Sequence, residues 1–267
     1  MSKTEQLRQS VLRSVQMVRY AVPLREGGSL PAIAEGDDGF DYVIKFKGAG
    51  QGTRALIAEL IGGELARAAG LKVPELVFAE VDEVFGRTEP DEEIQDLLQA
   101  STGINLALHY LSGAFTFDPV VTDVDADLAS RIVWLDAFLM NVDRTRRNTN
   151  LLVWHKELWL IDHGAALYFH HNDDHYSAYI DRPFAQIKDH VLLRRARRLE
   201  DANVHMKTLL TRQVITSVVA QVPDAWLDNH GAPFDDQRQA YVDFLCGRLD
   251  KSDVFVKTAE DARNVLV

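Results

Sequence analysis

The chain has 267 residues, of which 46% are hydrophobic and 26% charged, with a net charge of −11 and a single cysteine. This length suits one large domain or two halves sharing a cleft, and the composition is that of an ordinary globular protein. The negative charge argues against general binding to nucleic acid or anionic membrane, the lone Cys246 excludes a disulfide framework, and no apolar run approaches the ~20 residues of a membrane span. The opening MSKTEQLRQSVLRSVQ is charged throughout and lacks a secretion-type apolar core, so a cytoplasmic location is expected.

Residues 4–17 predict a helix, because Leu7, Val11, Leu12 and Val15 fall near one face. VRYAVPL then reads as a strand, and Gly27-Gly28-Ser29 turns the chain into a second strand, PAIAEG. Without Cβ atoms in the way, backbone N–H groups of such a turn can approach phosphate oxygens, although Gly-Gly is equally a plain hairpin signal. FDYVIKFKG alternates strongly: Tyr42, Ile44 and Phe46 point one way, and Val43, Lys45 and Lys47 the other. Lys45 sits mid-strand between apolar neighbours, where a cation could meet nucleotide phosphates; Lys47 reads as a solvent-facing residue.

GAGQGT leads into the helix TRALIAELIGGELARAAG, with Thr53 as candidate N-cap and Gly70 as candidate C-terminal stop. Glu59 lies within its apolar run and is the candidate ion-pair partner of Lys45, whereas Glu64 is expected to face solvent. VPELVFAEV reads as a strand, DEEIQDLLQAS as an acidic helix and INLALHYLSG as a last strand entering a linker. If the chain has two halves, backbone near Leu108–Leu111 is the hinge and could face an adenine ring. FTFDPVVTDVDAD is a loop whose carboxylates can cap a helix starting near Ala126.

The stretch from Asp136 to Gly164 carries the most chemistry. IVWLDAFLMN is apolar almost all round and predicts a buried helix; VDRTRRNTN is an irregular polar loop; LLVW and ELWLI are strands joined across His155-Lys156. Asp143, then Asn148 five residues on, then Asp162 at the exit of the second strand interrupt apolar segments, a costly placement unless they act. That order suits phosphoryl transfer, with Asp143 taking the proton of an acceptor hydroxyl and Asn148 and Asp162 holding magnesium. Turn propensity alone would also place an Asp and an Asn here. Beyond Gly164, the His170–His175 cluster matches no zinc spacing and reads as a polar loop. FAQIKDHVLLRRARRLEDANVHMKTLL predicts a helix whose basic run, Arg194, Arg195, Arg197 and Arg198, is a solvated face or a partner surface, and the remainder reads as successive helices.

Taken together, GGSLP, YVIKF, GAGQG, LIAEL, GLKVPE, NVDRTRRNTNLL and LWLIDHG resemble the stand-alone bacterial members of the HipA-like kinase family, within the protein-kinase-like superfamily. The resemblance runs from about Val18 to Tyr168 and is loose in the C-terminal helices. It implies an α+β, two-lobed protein-kinase-like fold, with a small β-rich N-lobe over residues 1–110 and a larger helical C-lobe over 111–267. It further implies ATP and Mg²⁺ as cofactors, Asp143 as catalytic base, Asn148 and Asp162 as metal ligands, Lys45 with Glu59 at the phosphates, and Gly27, Gly28 and Ser29 as a phosphate-covering loop. The expected activity is transfer of the γ-phosphate to a hydroxyl, on a protein Ser/Thr or a small molecule. The chain lacks an obvious match to the N-terminal region of the family's toxins, so a protein partner is open. His163 stands where protein kinases carry Phe, removing the apolar plug of their regulation. The competing readings are a non-catalytic nucleotide-binding module, a nucleotidyl transferase on the same scaffold, and an unrelated helical interaction protein.

Overall fold

The computed structural model describes residues 11–24, 30–86, 89–171 and 176–266. In chain order its first half comprises β1 (Ser14–Pro23), β2 (Ala32–Gly36), β3 (Asp41–Lys45), α1 (Gly52–Ala68), β4 (Leu76–Val81), α2 (Glu92–Ala100) and β5 (Gly103–His109). The five strands close into a barrel in the order β1-β2-β3-β5-β4, in which β1 and β4 run parallel and the other neighbours antiparallel. The alternation expected for β3 is realised: Tyr42, Ile44 and Phe46 are buried in the barrel core, so Lys45 points outward. β1 corrects the helix expected over 4–17, since its residues from Ser14 are extended, with Val15 and Met17 buried. Residues 1–10 and the Gly27-Gly28-Ser29 turn lie outside the described residues.

α1 covers the outward face. Every residue from Leu56 to Ala66 is buried, and its side chains join a core that continues into the second half of the molecule. Its end is as expected, with Gly70 at φ +74° just past the helix. Its start is not: the N-cap position is Gln51, without a side-chain bond, rather than Thr53. Glu64 is also buried rather than solvent-facing, held by Arg67 at 2.7 Å.

The second half holds β6 (Phe115–Thr116), α3 (Ala126–Leu139), β7 (Leu151–Trp154), β8 (Glu157–Leu160), α4 (Leu199–Leu209), α5 (Arg212–Val219), α6 (Phe234–Asp250) and α7 (Ser252–Leu266). Asp125 caps α3, its carboxylate accepting from Leu128 N at 2.9 Å. As its sequence requires, α3 is buried over nearly its whole length, and its C-terminal carbonyls are satisfied by the fully buried Arg248, which donates to Ala137 O (2.7 Å) and Phe138 O (2.9 Å). The β7–β8 hairpin turns at His155 (φ +49°) and Lys156 (φ +66°), the two left-handed positions of a tight two-residue turn. The single helix expected from Phe184 is instead broken into short 3-10 turns, Ala185–Asp189 and Leu193–Arg195, before α4. In the basic run, Arg194, Arg197 and Arg198 are exposed, and Arg198 pairs with Asp201 at 2.9 Å.

Candidate functional site

A cleft of about 1390 Å³ opens between the barrel and the α3–β8 region. Lys45, Asp143, Asn148 and Asp162 all line it, together with Leu108, His109, Tyr110 and Leu111, the stretch expected to act as a hinge. Pro23, Leu24 and Pro31, the residues flanking the glycine turn, border it too, and Leu24 N–H donates to Pro31 O at 2.7 Å.

Lys45 Nζ lies 2.6 Å from Glu59 Oε2 and 2.6 Å from Asp162 Oδ1. The strand period turns Lys45 away from the barrel core and toward α1, which presents the completely buried Glu59. Burial alone would lower the lysine's pKa and raise that of Glu59. Their mutual attraction outweighs it: Lys45, which also feels Asp162, is pushed up, and Glu59 is held down to about 2. Asp162 adopts a left-handed φ of +55°, a conformation Asp tolerates better than most residues, immediately after the strand that delivers it. Its side chain is 44% exposed, toward the cleft.

Asp143 lies on the irregular loop after α3. Its Oδ2 accepts from Asn148 Nδ2 (2.7 Å) and Asn150 Nδ2 (3.2 Å), and its own N–H donates to Asn141 Oδ1 (3.1 Å). Partial burial pushes the Asp143 carboxyl up, and the nearby Asp162 charge adds to this against the two amide bonds. A carboxylate so placed has a raised affinity for a proton.

Beneath this loop is a buried group that sequence reasoning missed. Asp136, completely buried on α3, accepts from Asn141 Nδ2 (2.9 Å), Arg144 Nε (2.6 Å) and His190 Nε2 (2.9 Å). His190 Nδ1 accepts the N–H of Leu192 at 3.0 Å, so the ring proton is on Nε2, directed at Asp136. Burial would raise the Asp136 pKa, but Arg144 and His190 hold it well below the usual carboxylate range. Arg144 donates further to Asn150 O and Ile161 O, tying the Asp143 loop to both arms of the hairpin that ends in Asp162. The available signal was Asp136 itself, a charge inside an otherwise apolar helix.

His163 is fully buried against α1; a Cβ added at Gly62 would stand 2.7 Å from the His163 Cβ. Its Nδ1 is 3.9 Å from Glu59 Oε1. Among the described residues no group of three or more His, Cys, Asp or Glu could hold a metal. Side chains 170–175 lie outside the description. The donors present, one half-exposed carboxylate and an Asn whose amide nitrogen is already donated to Asp143, fit a hard cation that takes most of its oxygens from phosphate and water.

The fold agrees with solved kinases. The chain superposes on the Helicobacter pylori proinflammatory kinase CtkA with a TM-score of 0.55 and 15% identity, over 94% of this chain and 99% of that one. It also superposes on the Golgi casein kinase with Mn/ADP bound, with a TM-score of 0.51 and 12% identity, over 99% of this chain and 77% of that one. These likenesses define a kinase fold. The family model for HipA-like kinases matches residues 17–253, and the chain belongs to that family. A comparison with curated proteins found no match.

Proposed function

We propose that this HipA-like kinase is an ATP- and Mg²⁺-dependent phosphotransferase acting on a hydroxyl acceptor, with its active site in the cleft between an N-lobe of residues 1–110 and a C-lobe of 111–267. The observation that carries the reading is Lys45 Nζ, held at 2.6 Å from both Glu59 and Asp162, on the cleft that Asp143 and Asn148 also line. A buried helix glutamate anchoring a strand lysine beside a strand-end Asp is the arrangement that kinase-type phosphoryl transfer uses.

In this reading Lys45 contacts the donor phosphates, Glu59 holds it in place, and the Gly27-Gly28-Ser29 turn covers them. Asn148 and Asp162 would hold Mg²⁺, which supplies charge neutralisation at the phosphates when bound. Asp143 orients the acceptor hydroxyl and receives its proton. The acceptor oxygen bonds to the γ-phosphorus as the bond to the β,γ-bridging oxygen breaks, and ADP leaves with that electron pair. The Asp136–Arg144–His190 group keeps the Asp143 loop in register with the Asp162 strand, so most of the catalytic contribution is preorganisation. A single buried cysteine fits a reducing compartment such as the cytoplasm, and no helix among the described residues is long and apolar enough to cross a membrane.

The test is incubation with Mg²⁺-ATP and intact-mass analysis of protein and added acceptors, alongside Asp143→Asn. A phosphate adduct or ADP release in wild type, lost in Asp143→Asn, supports the reading. An AMP adduct redirects it to nucleotidyl transfer, and tight nucleotide binding without either product makes the chain a non-catalytic module.

A further inference from the structure

We propose that Arg146 and Arg147 form the acceptor-recognition element of the cleft, and that the acceptor carries an anionic group, carboxylate or phosphate, beside the hydroxyl. This inference rests on the phosphotransfer reading above.

The two arginines are the tip of a turn closed on itself. Thr145 N–H donates to Asn148 O (2.8 Å) and to Asp143 O (3.0 Å), and Asn148 N–H donates to Thr145 Oγ1 (3.3 Å). Both ends of the turn are anchored: Thr145 bridges to His190, and Asn148 bonds to the Asp143 carboxylate at 2.7 Å. The tip is therefore fixed beside Asp143, on the lining of the same cleft.

Charge singles these two residues out. With 40 acidic and 29 basic side chains, the ordinary condition of an arginine here is neutralisation, as at Arg19, Arg67, Arg198 and Arg238. Arg146 and Arg147 are exposed in the cleft, and neither has a side-chain partner among the described residues. Arg194 and Arg197 are similarly without side-chain partners but do not line the cleft. Lys45, the remaining Lys or Arg of the cleft lining among the described residues, is already committed to Glu59 and Asp162. An anion entering beside Asp143 thus meets two guanidinium forks suited to carboxylate or phosphate, whereas the Asp118 and Asp162 carboxylates elsewhere on the lining disfavour it. At physiological salt the overall negative charge is screened beyond about 8 Å, so the local pair decides.

The experiment measures transfer from Mg²⁺-ATP by the full chain to two acceptor pairs that differ only in charge. One pair is a serine peptide with Glu neighbours and the same peptide with Gln; the other is glycerol 3-phosphate and glycerol. In at least one pair the anionic member is expected to show about tenfold or greater kcat/KM, the size of one charge-assisted hydrogen bond. The pair that responds identifies whether the anion comes from a peptide or a small phosphate. Arg146→Gln/Arg147→Gln is expected to abolish that preference with Mg²⁺-ATP affinity unchanged, and Arg146→Lys/Arg147→Lys to retain part of it. Equal rates within both pairs, no transfer to any of the four, or a loss of Mg²⁺-ATP affinity parallel to the loss of transfer overturns the inference. Absence of Mg²⁺-ATP binding in wild type removes the phosphotransfer reading and this inference together; intact binding without a charge preference removes only the inference.

Discussion

Lys45 and Asp162 are separated by 117 positions in the chain, yet the lysine Nζ and the aspartate Oδ1 meet at 2.6 Å. With Glu59 on the other side of the same ammonium, one cation joins β3, α1 and the exit of β8. The contact is structural as well as chemical, and its removal has consequences for both.

Lys45→Met leaves the Glu59 carboxylate buried without its main partner, and destabilisation of about 3–5 kcal/mol is expected by urea unfolding at pH 7. Glu59 is held at about 2, below its ordinary 4.5, so its contribution to stability is present above pH 4.5 and lost as pH falls through 2. The wild type is therefore expected to lose stability over that window more steeply than Lys45→Met. Parallel acid limbs would show that the pair does not act as described.

Asp143→Asn keeps the shape and the side-chain bonding capacity of the loop but cannot accept a proton. Turnover is expected to fall by about 10²–10⁴-fold with the unfolding midpoint nearly unchanged. A variant that retains turnover would remove Asp143 from the role of base.

Gly62→Ala places a Cβ 2.7 Å from His163 Cβ, an atom fixed by backbone that no rotamer change can move. Either α1 or the Asp162–Gly164 segment must shift, at a cost of about 1–3 kcal/mol. Since Glu59 rides on α1, nucleotide affinity should fall with stability. Unchanged melting temperature and affinity would show that the two segments are not rigidly coupled.

These relationships were unevenly legible in the sequence. Lys45, Glu59, Asp143, Asn148 and Asp162 stood out because polar groups at those positions lie within or between apolar strands and helices, and the fold brings all but Glu59 to the lining of one cleft, with Glu59 immediately behind Lys45. The strand from Ser14 was hidden because Val11, Leu12 and Val15 satisfy a helical period, while Val15 and Met17 satisfy a two-residue one; pairing with β2 and β4 decides for the strand. His190 was hidden for a different reason. It lies 54 residues from Asp136 in a segment of helical appearance, and only the folded chain reveals that it backs the Asp143 loop.

His190 carries its own pH signature. Burial pushes its pKa below the ordinary 6.5, with Asp136 opposing and Arg144 assisting. The neutral ring is favoured by folding, so its contribution is present above pH 6.5 and lost as pH falls through the lower folded value. His190→Gln should flatten the stability profile just below pH 6.5 relative to wild type. Coincident profiles would contradict this account of the buried group.

Calorimetric titration of ATP into the wild type and Asp162→Asn, with and without Mg²⁺, tests the central claim most directly. Binding in the wild type that depends on Mg²⁺ and is weakened by the substitution is the predicted result. Binding that ignores both the metal and the substitution, or no binding under any condition, would contradict the assignment of this cleft to a metal-bound nucleotide.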